Sequence, residues 1–111
     1  MPKKRREEEQ EEATRLRLPD RENEEMLAII DQKLGGPHLR VICEDGKERL
    51  ARIPGRLQRR IWFRVGDVVI IKLWEYRKDR CDVIWKYTAT QVDRLKREGY
   101  LKPFEEYLGS F

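Results

Sequence analysis

Between Ile53 and Arg64 the chain sets Arg56, Arg59, Arg60 and Arg64 beside Trp62 and Phe63, just after a Pro54-Gly55 break. A guanidinium pairs with phosphate through a planar fork and also stacks on a base. An aromatic ring gives a base a second π-face to lie on. Cations interleaved with aromatics are therefore the chemistry of a nucleic-acid surface. Leu57 and Ile61 lie four apart, so one helical turn after Pro54-Gly55 would bury both and turn Arg56, Arg59 and Arg60 outward. The plainer alternative is a solvated turn whose Trp62 plugs the core. Ile61, Trp62 and Phe63 compete for one interior, so one of the three must face out, and the pattern does not say which.

Little else offers chemistry. His38 is the one histidine, and with Cys43 and Cys81 it makes three possible metal ligands without any C-x-x-C spacing. Gly35-Gly36-Pro37 lacks the lysine and the helix that a phosphate loop needs. No catalytic residue, metal or cofactor is expected, and the enzyme reading is the weak one.

Charge narrows the partners. Residues 1–25 hold 7 basic and 9 acidic side chains, a net of −2, whereas residues 26–111 hold 18 and 12, a net of +6. A basic folded part favours polyanions, nucleic acid before an anionic membrane. No apolar run approaches the roughly 20 residues of a spanning helix, and Lys3-Lys4-Arg5-Arg6 is followed by glutamates rather than an apolar stretch. Cys43 and Cys81 lack a disulfide-dense context and read as small core residues, so a cytoplasmic monomer is expected.

The elements that must position the arginines follow from periodicity. Residues 1–24 read as a disordered charged tail with Leu16 and Leu18 as its possible anchor. Residues 25–88 read as the folded domain. Met26–Ile30 gives strand one, ending in polar residues and the Gly35-Gly36-Pro37 turn. Leu39, Val41 and Cys43 face one way in strand two, and Asp45-Gly46 predicts a two-residue hairpin turn with positive φ at both residues. Strand three spans about Glu48 to Ile53 with its register open: Leu50 favours one face, Ala51 with Ile53 the other. Val68–Trp74 is rich in β-branched residues and reads as a strand buried on both faces. Cys81, Val83, Trp85 and Tyr87 alternate with polar neighbours in strand five. Residues 89–111 change period. Thr90 with Asp93 resembles a capping pair, Val92 and Leu95 share a face, and Gly99 with Pro103 ends the helix. Phe104, Tyr107, Leu108 and Phe111 fold back on the core or dock on a partner.

The predicted class is all-β: a five-stranded OB-fold barrel, S1-like, with a short helix between strands three and four and an appended C-terminal helix. Barrels of this kind take ligands on strands two and three and the adjoining loops. Arg40, Lys47, Arg49 and Arg52 come from that region, beside Arg56, Arg59, Arg60, Trp62 and Arg64, and together they form the expected RNA-binding set.

The runs LRVICEDG from Leu39 to Gly46, then RLARIPGRL from Arg49 to Leu57 and RRIW from Arg59 to Trp62, resemble the translation initiation factor 1A family. So do GDVVI from Gly66 to Ile70 and DVIWKY from Asp82 to Tyr87, with the likeness covering roughly residues 20–101. The short tails resemble the archaeal form; bacterial initiation factor 1 shares the barrel but lacks the appended helix. The resemblance implies a non-enzymatic factor that binds the small ribosomal subunit, its RNA and proteins, in the A site near the decoding helix. There it would block elongator tRNA and promote initiator tRNA binding in the P site. It further implies that Arg59, Arg60 and Trp62 carry the contact to the decoding helix, with Arg56 and Arg49 at further basic positions. Gln58 departs from the pattern, standing where a basic residue is frequent, as do His38 and Arg40. Other initiation factors, including the subunit-joining GTPase, are implied as partners. Two other readings stand beside this one. A general RNA-binding barrel or chaperone of cold-shock type would display aromatics on strands two and three, and none lies between Leu39 and Ile53. A small protein-binding barrel would use the arginines against acidic partners.

Overall fold

The computed structural model describes residues 16–108; Lys3–Arg6, the glutamates after them and the last three residues lie outside the described residues. Five strands, β1 (Glu25–Gly35), β2 (His38–Cys43), β3 (Glu48–Arg52), β4 (Val68–Leu73) and β5 (Arg80–Lys86), close a barrel in the order β1-β2-β3-β5-β4. Neighbours are antiparallel except β3 and β5, which run parallel. This is the expected OB-fold. A single turn, α1 (Gly55–Gln58), lies between β3 and β4, and α2 (Ala89–Arg97) follows β5. A 3-10 turn (Lys102–Phe104) and α3 (Glu105–Leu108) close the described chain.

Alternation along β1 and β4 builds two cores. Ala28, Ile30, Val69 and Ile71 point into the barrel, where they meet Leu39, Val41, Ala51, Ile53, Phe63 and Val83. Leu27, Ile29, Val68 and Ile70 point outward and are covered by Tyr87, Leu95, Leu101 and Phe104. That second cluster is why β4 reads as apolar on both faces and why the helix is appended here: each fully buried large side chain is worth about 1.5–3 kcal/mol.

Several local expectations change. Strand β1 runs on to Gly35 instead of ending at Ile30, because Asp31 and Leu34 are extra, unpaired residues that bend it without ending its pairing to β2. The β2–β3 connection is a three-residue loop. Gly46 alone has positive φ (83°), with Gly46 N–H bonding Cys43 C=O and Cys43 N–H bonding Lys47 C=O. Asp45 keeps negative φ, so a type I turn closed by a glycine bulge replaces the two-residue turn. The register of β3 turns Ala51 and Ile53 inward and leaves Leu50 half-buried. Helix α2 begins two residues earlier than expected. Thr88 caps it, accepting from Gln91 N–H at 3.2 Å, while the Gln91 side chain accepts from Thr88 N–H at 2.9 Å. Asp93 is one methylene too short to return that second bond for Thr90. Gly99 (φ 84°) ends the helix as expected, with Tyr100 N–H reaching Leu95 C=O.

The boundary at residue 25 also moves. Leu16 packs on the outer core, the Tyr87 hydroxyl donates to Arg17 C=O, and Asp20 caps a 3-10 turn at Arg21–Asn23. Residues 16–24 thus belong with the barrel.

Candidate nucleic-acid interface

The last barrel bond of β3's extension is Ile53 N–H to Pro37 C=O, 2.8 Å. Pro54, with no N–H and an extended backbone (φ −58°, ψ 147°), ends the strand and starts α1. Leu57 N–H and Gln58 N–H return to Pro54 C=O, and Ile61 N–H returns to Leu57 C=O at 3.0 Å. Gln58 closes the turn by donating its side-chain amide to Ile53 C=O at 2.8 Å, which accounts for an uncharged residue among the arginines. Leu57 and Ile61 pack on the inner core; Arg56, Arg59 and Arg60 face out, as the spacing predicts. Of the three competing apolar side chains, Phe63 enters the barrel at 4% exposure and Ile61 is half-buried, while Trp62 stands 83% exposed. An indole this exposed is unusual for a large apolar group and offers a free π-face.

Among the described residues, the side chains of Arg56, Arg59, Arg60 and Arg64 have no hydrogen-bond or ion-pair partner. No acid lies between Pro54 and Gly66 to neutralise them. The first, Asp67, is already engaged: its Oδ2 accepts from Arg64 N–H at 2.8 Å and lies 3.2 Å from Lys86 Nζ. Among the described residues the segment therefore presents four uncompensated guanidiniums.

Beside it lies a cleft of about 1450 Å³. Residues 55–61 form one wall, and the end of β5 with the start of α2 forms the other. Arg17, Arg56, Arg59, Arg60 and Lys86 line it, and Trp85 sits within it. The Arg17 guanidinium lies 4.9 Å from the Trp85 ring centroid, and the buried Trp85 Nε1 has no partner among the described residues. Arg17, Lys86, Trp85 and Asp67 were not in the sequence-based set. Arg17 falls in what reads as tail, Trp85 and Lys86 in what reads as strand, and Asp67 just ahead of the strand that begins at Val68, where periodicity marks none of them.

The strand residues divide. Arg52 (side chain 51% exposed) lies on the outer face, donating to Asp82 at 3.2 and 3.4 Å, with its guanidinium 5.5 Å from the Trp74 ring. Arg40 is exposed and donates to Gln32. Lys47 is exposed but flanks the β2–β3 loop, at the opposite end of β3 from Ile53, roughly 20 Å of strand away. Arg49 does not join the surface. The register that turns Ala51 and Ile53 inward turns Arg49 inward too, at 7% exposure. It plugs the far end of the barrel, donating to Lys78 C=O at 2.7 Å and to both Asp45 carboxylate oxygens at 2.9 and 2.8 Å. That fork holds Asp45 below its ordinary carboxylate range, while the carboxylate pushes Arg49 further up. Arg56, Arg59, Arg60, Trp62 and Arg64 are all exposed on the segment between β3 and β4, and Arg52 is exposed at the end of β3 that precedes it.

Neither cysteine is a ready nucleophile or ligand, since burial pushes both thiols up. Among the described residues no three His, Cys, Asp or Glu side chains gather where they could hold a metal ion. No described helix is long and apolar enough to cross a membrane.

Comparison with known proteins bears on the same barrel. The family model described as Translation initiation factor 1A / IF-1 matches residues 13–107. Translation initiation factor 1A of Archaeoglobus fulgidus is 50% identical over 93 residues, covering 84% of this chain and 96% of that one. Translation initiation factor 1A of Methanococcus maripaludis is 54% identical over 89 residues, covering 79% and 86%. A solved structure, the translation initiation factor 1 of a Wolbachia endosymbiont of Brugia malayi, aligns at 20% identity and a TM-score of 0.47, covering 64% of this chain and 84% of that one. The family model and the archaeal relatives agree: the chain belongs to the translation initiation factor 1A / IF-1 family.

Proposed function

We propose that this initiation factor binds the small ribosomal subunit in its A site, against the decoding helix of the subunit RNA. Bound there it blocks elongator tRNA and promotes initiator tRNA binding in the P site. One observation carries the RNA contact: on the segment between β3 and β4, four exposed guanidiniums without partners among the described residues flank in sequence a Trp62 that stands exposed. Fixed cations at that density favour a phosphate backbone, and the indole adds a stacking platform. The outer face of β2 and β3 has no aromatics, which favours structured RNA over the single strands that cold-shock barrels take.

Other initiation factors and the subunit-joining GTPase are neighbours in this reading. Phe104 is 1% exposed in the outer core, and the Tyr107 hydroxyl donates to Asp31 at 2.9 Å, so neither is free to dock elsewhere while the fold is intact. The side chain of Leu108 and all of Phe111 lie outside what the structure describes.

Chemical footprinting on purified small subunits tests the reading. Protection confined to the decoding helix is expected, and Arg59→Ala with Arg60→Ala should remove it. Tight binding to single-stranded oligonucleotides without any footprint on the subunit would refute it.

A further inference from the structure

We propose that Lys86 is the positioning residue of this interface, an internal clamp that orders the Trp62–Asp67 segment before RNA arrives. Between Ile61 and β4 the chain leaves the barrel ladder. Its described backbone bonds there are few: Gly66 N–H to Ile30 C=O, Ile30 N–H to Asp67 C=O and Asp67 N–H to Arg64 C=O. None of these holds Trp62. The Lys86 ammonium does, donating to Trp62 C=O at 2.5 Å. The same ammonium lies 3.2 Å from Asp67 Oδ2 and 6.0 Å from the Phe63 ring centroid. Asp67 Oδ2 in turn accepts from Arg64 N–H. One cation at the end of β5 thus joins both ends of the segment that carries Trp62 and Arg64, and its side chain is only 26% exposed.

The physical role follows from entropy. Fixing a residue's backbone costs on the order of 1–2 kcal/mol, and a loop ordered in advance does not add that cost to binding. Lys86 has three donors, with Trp62 and Asp67 occupying two. Its charge is offset by Asp67, unlike the guanidiniums of Arg59, Arg60 and Arg64. Lys86 therefore acts through Trp62 and Arg64. The inference rests on the reading that this segment contacts RNA.

Lys86→Met keeps an unbranched side chain of similar length and removes the ammonium; Lys86→Arg restores charge and donors. Two measurements separate the possibilities. The first is the backbone heteronuclear NOE of residues 61–67, with the Trp62 indole N–H, in the free protein. The second is affinity for purified small ribosomal subunits over a range of salt. Lys86→Met is expected to lower the NOEs of Trp62–Gly66 while barrel amides keep their shifts. Affinity should fall on the order of 10-fold, the worth of one hydrogen bond to a charged group, with an unchanged salt slope, and Lys86→Arg should recover both. Undisturbed NOEs in Lys86→Met would overturn the clamp. So would a slope shallower by roughly 0.7–0.9, the mark of a phosphate contact made by Lys86 itself. A loosened segment with full affinity would leave the clamp's geometry standing and strike down the reading that this segment touches RNA.

Discussion

Trp62→Ala separates recognition from folding more sharply than any other single change, because its neighbour Phe63 supplies the control. Trp62 is 83% exposed, makes no side-chain hydrogen bond among the described residues, and is held by its carbonyl, which alanine retains. Truncation leaves no cavity, so stability should change by no more than about 0.5 kcal/mol. Phe63 is 4% exposed within the inner core, and Phe63→Ala should cost about 3–5 kcal/mol. On the subunit the order reverses for Trp62. One base stacked on the indole is worth about 1–3 kcal/mol, which is roughly 5- to 150-fold in affinity. Trp62→Phe keeps a π-face and should recover much of that loss. Urea unfolding followed by far-ultraviolet circular dichroism reads the first quantity without using the altered fluorophore; titration of purified small subunits reads the second. A stability loss of about 2 kcal/mol for Trp62→Ala would refute the claim that this side chain is free. Unchanged affinity, alongside weakened binding by Arg59→Ala, would remove the indole from the interface.

Arg59→Ala with Arg60→Ala should leave the melting temperature nearly unmoved, because both side chains are exposed and without described partners. Subunit binding should weaken, and its log–log salt slope should become shallower by roughly 0.7–0.9 per lost phosphate contact; a parallel fall in melting temperature and affinity would point to a structural role. Asp45→Asn tests the barrel plug. Arg49 depresses the Asp45 carboxyl below its ordinary 3.8, so the pair's contribution is present above that pH and is lost as pH falls through the folded-state value. The variant should be less stable at pH 7 by about 1–3 kcal/mol, with a gap to wild type that narrows below about pH 4, since Asp45 is one-third exposed and a fully buried pair would cost more. A gap that does not change with pH would contradict this. Thr88→Ala should lower stability by about 1 kcal/mol and Thr90→Ala by far less, because only Thr88 caps α2; equal losses would overturn the cap assignment.

The barrel was legible in the sequence because strand alternation and the doubly apolar run at Val68–Leu73 are imposed by burial, which periodicity records directly. The place of α1 was legible for the same reason, since Leu57 and Ile61 mark a helical face. What periodicity could not supply was decided by partners distant in sequence. Arg49 and Arg52 look alike in the chain, yet β3's register sends one into the barrel end beside Asp45 and the other outward to Asp82. Asp31-Gln32-Lys33 looks like a strand's end, yet a bulge carries β1 through it. Lys86 was invisible as a functional residue because its meaning lies in a carbonyl 24 residues away.

The distribution of ion pairs gives the candidate site its direction. Arg21 with Glu44, Arg49 with Asp45, Lys78 with Glu24, and Arg77 and Arg80 with Asp79 all lie at the barrel end formed by the β2–β3 and β4–β5 loops. Apart from the buried Arg49 with Asp45, these are exposed pairs that add little stability individually. Their collective effect is electrostatic: they neutralise that end. At the opposite end Asp67 is the acid available near residues 56–64, and Lys86 takes it. Among the described residues the arginines are thus left uncompensated, since the nearby acid is paired elsewhere. A polyanion approaching the molecule meets a field concentrated at α1 and Trp62, with the cleft of Arg17 and Trp85 alongside. Placing a carboxylate there should be the most damaging single surface change: Gln58→Glu puts a negative charge within the arginine cluster and also removes the amide bond to Ile53 C=O. Gln58→Leu removes the same bond without the charge. The difference in subunit affinity between these two variants measures the field itself, and equal affinities would mean that the cluster's charge is not what the RNA reads.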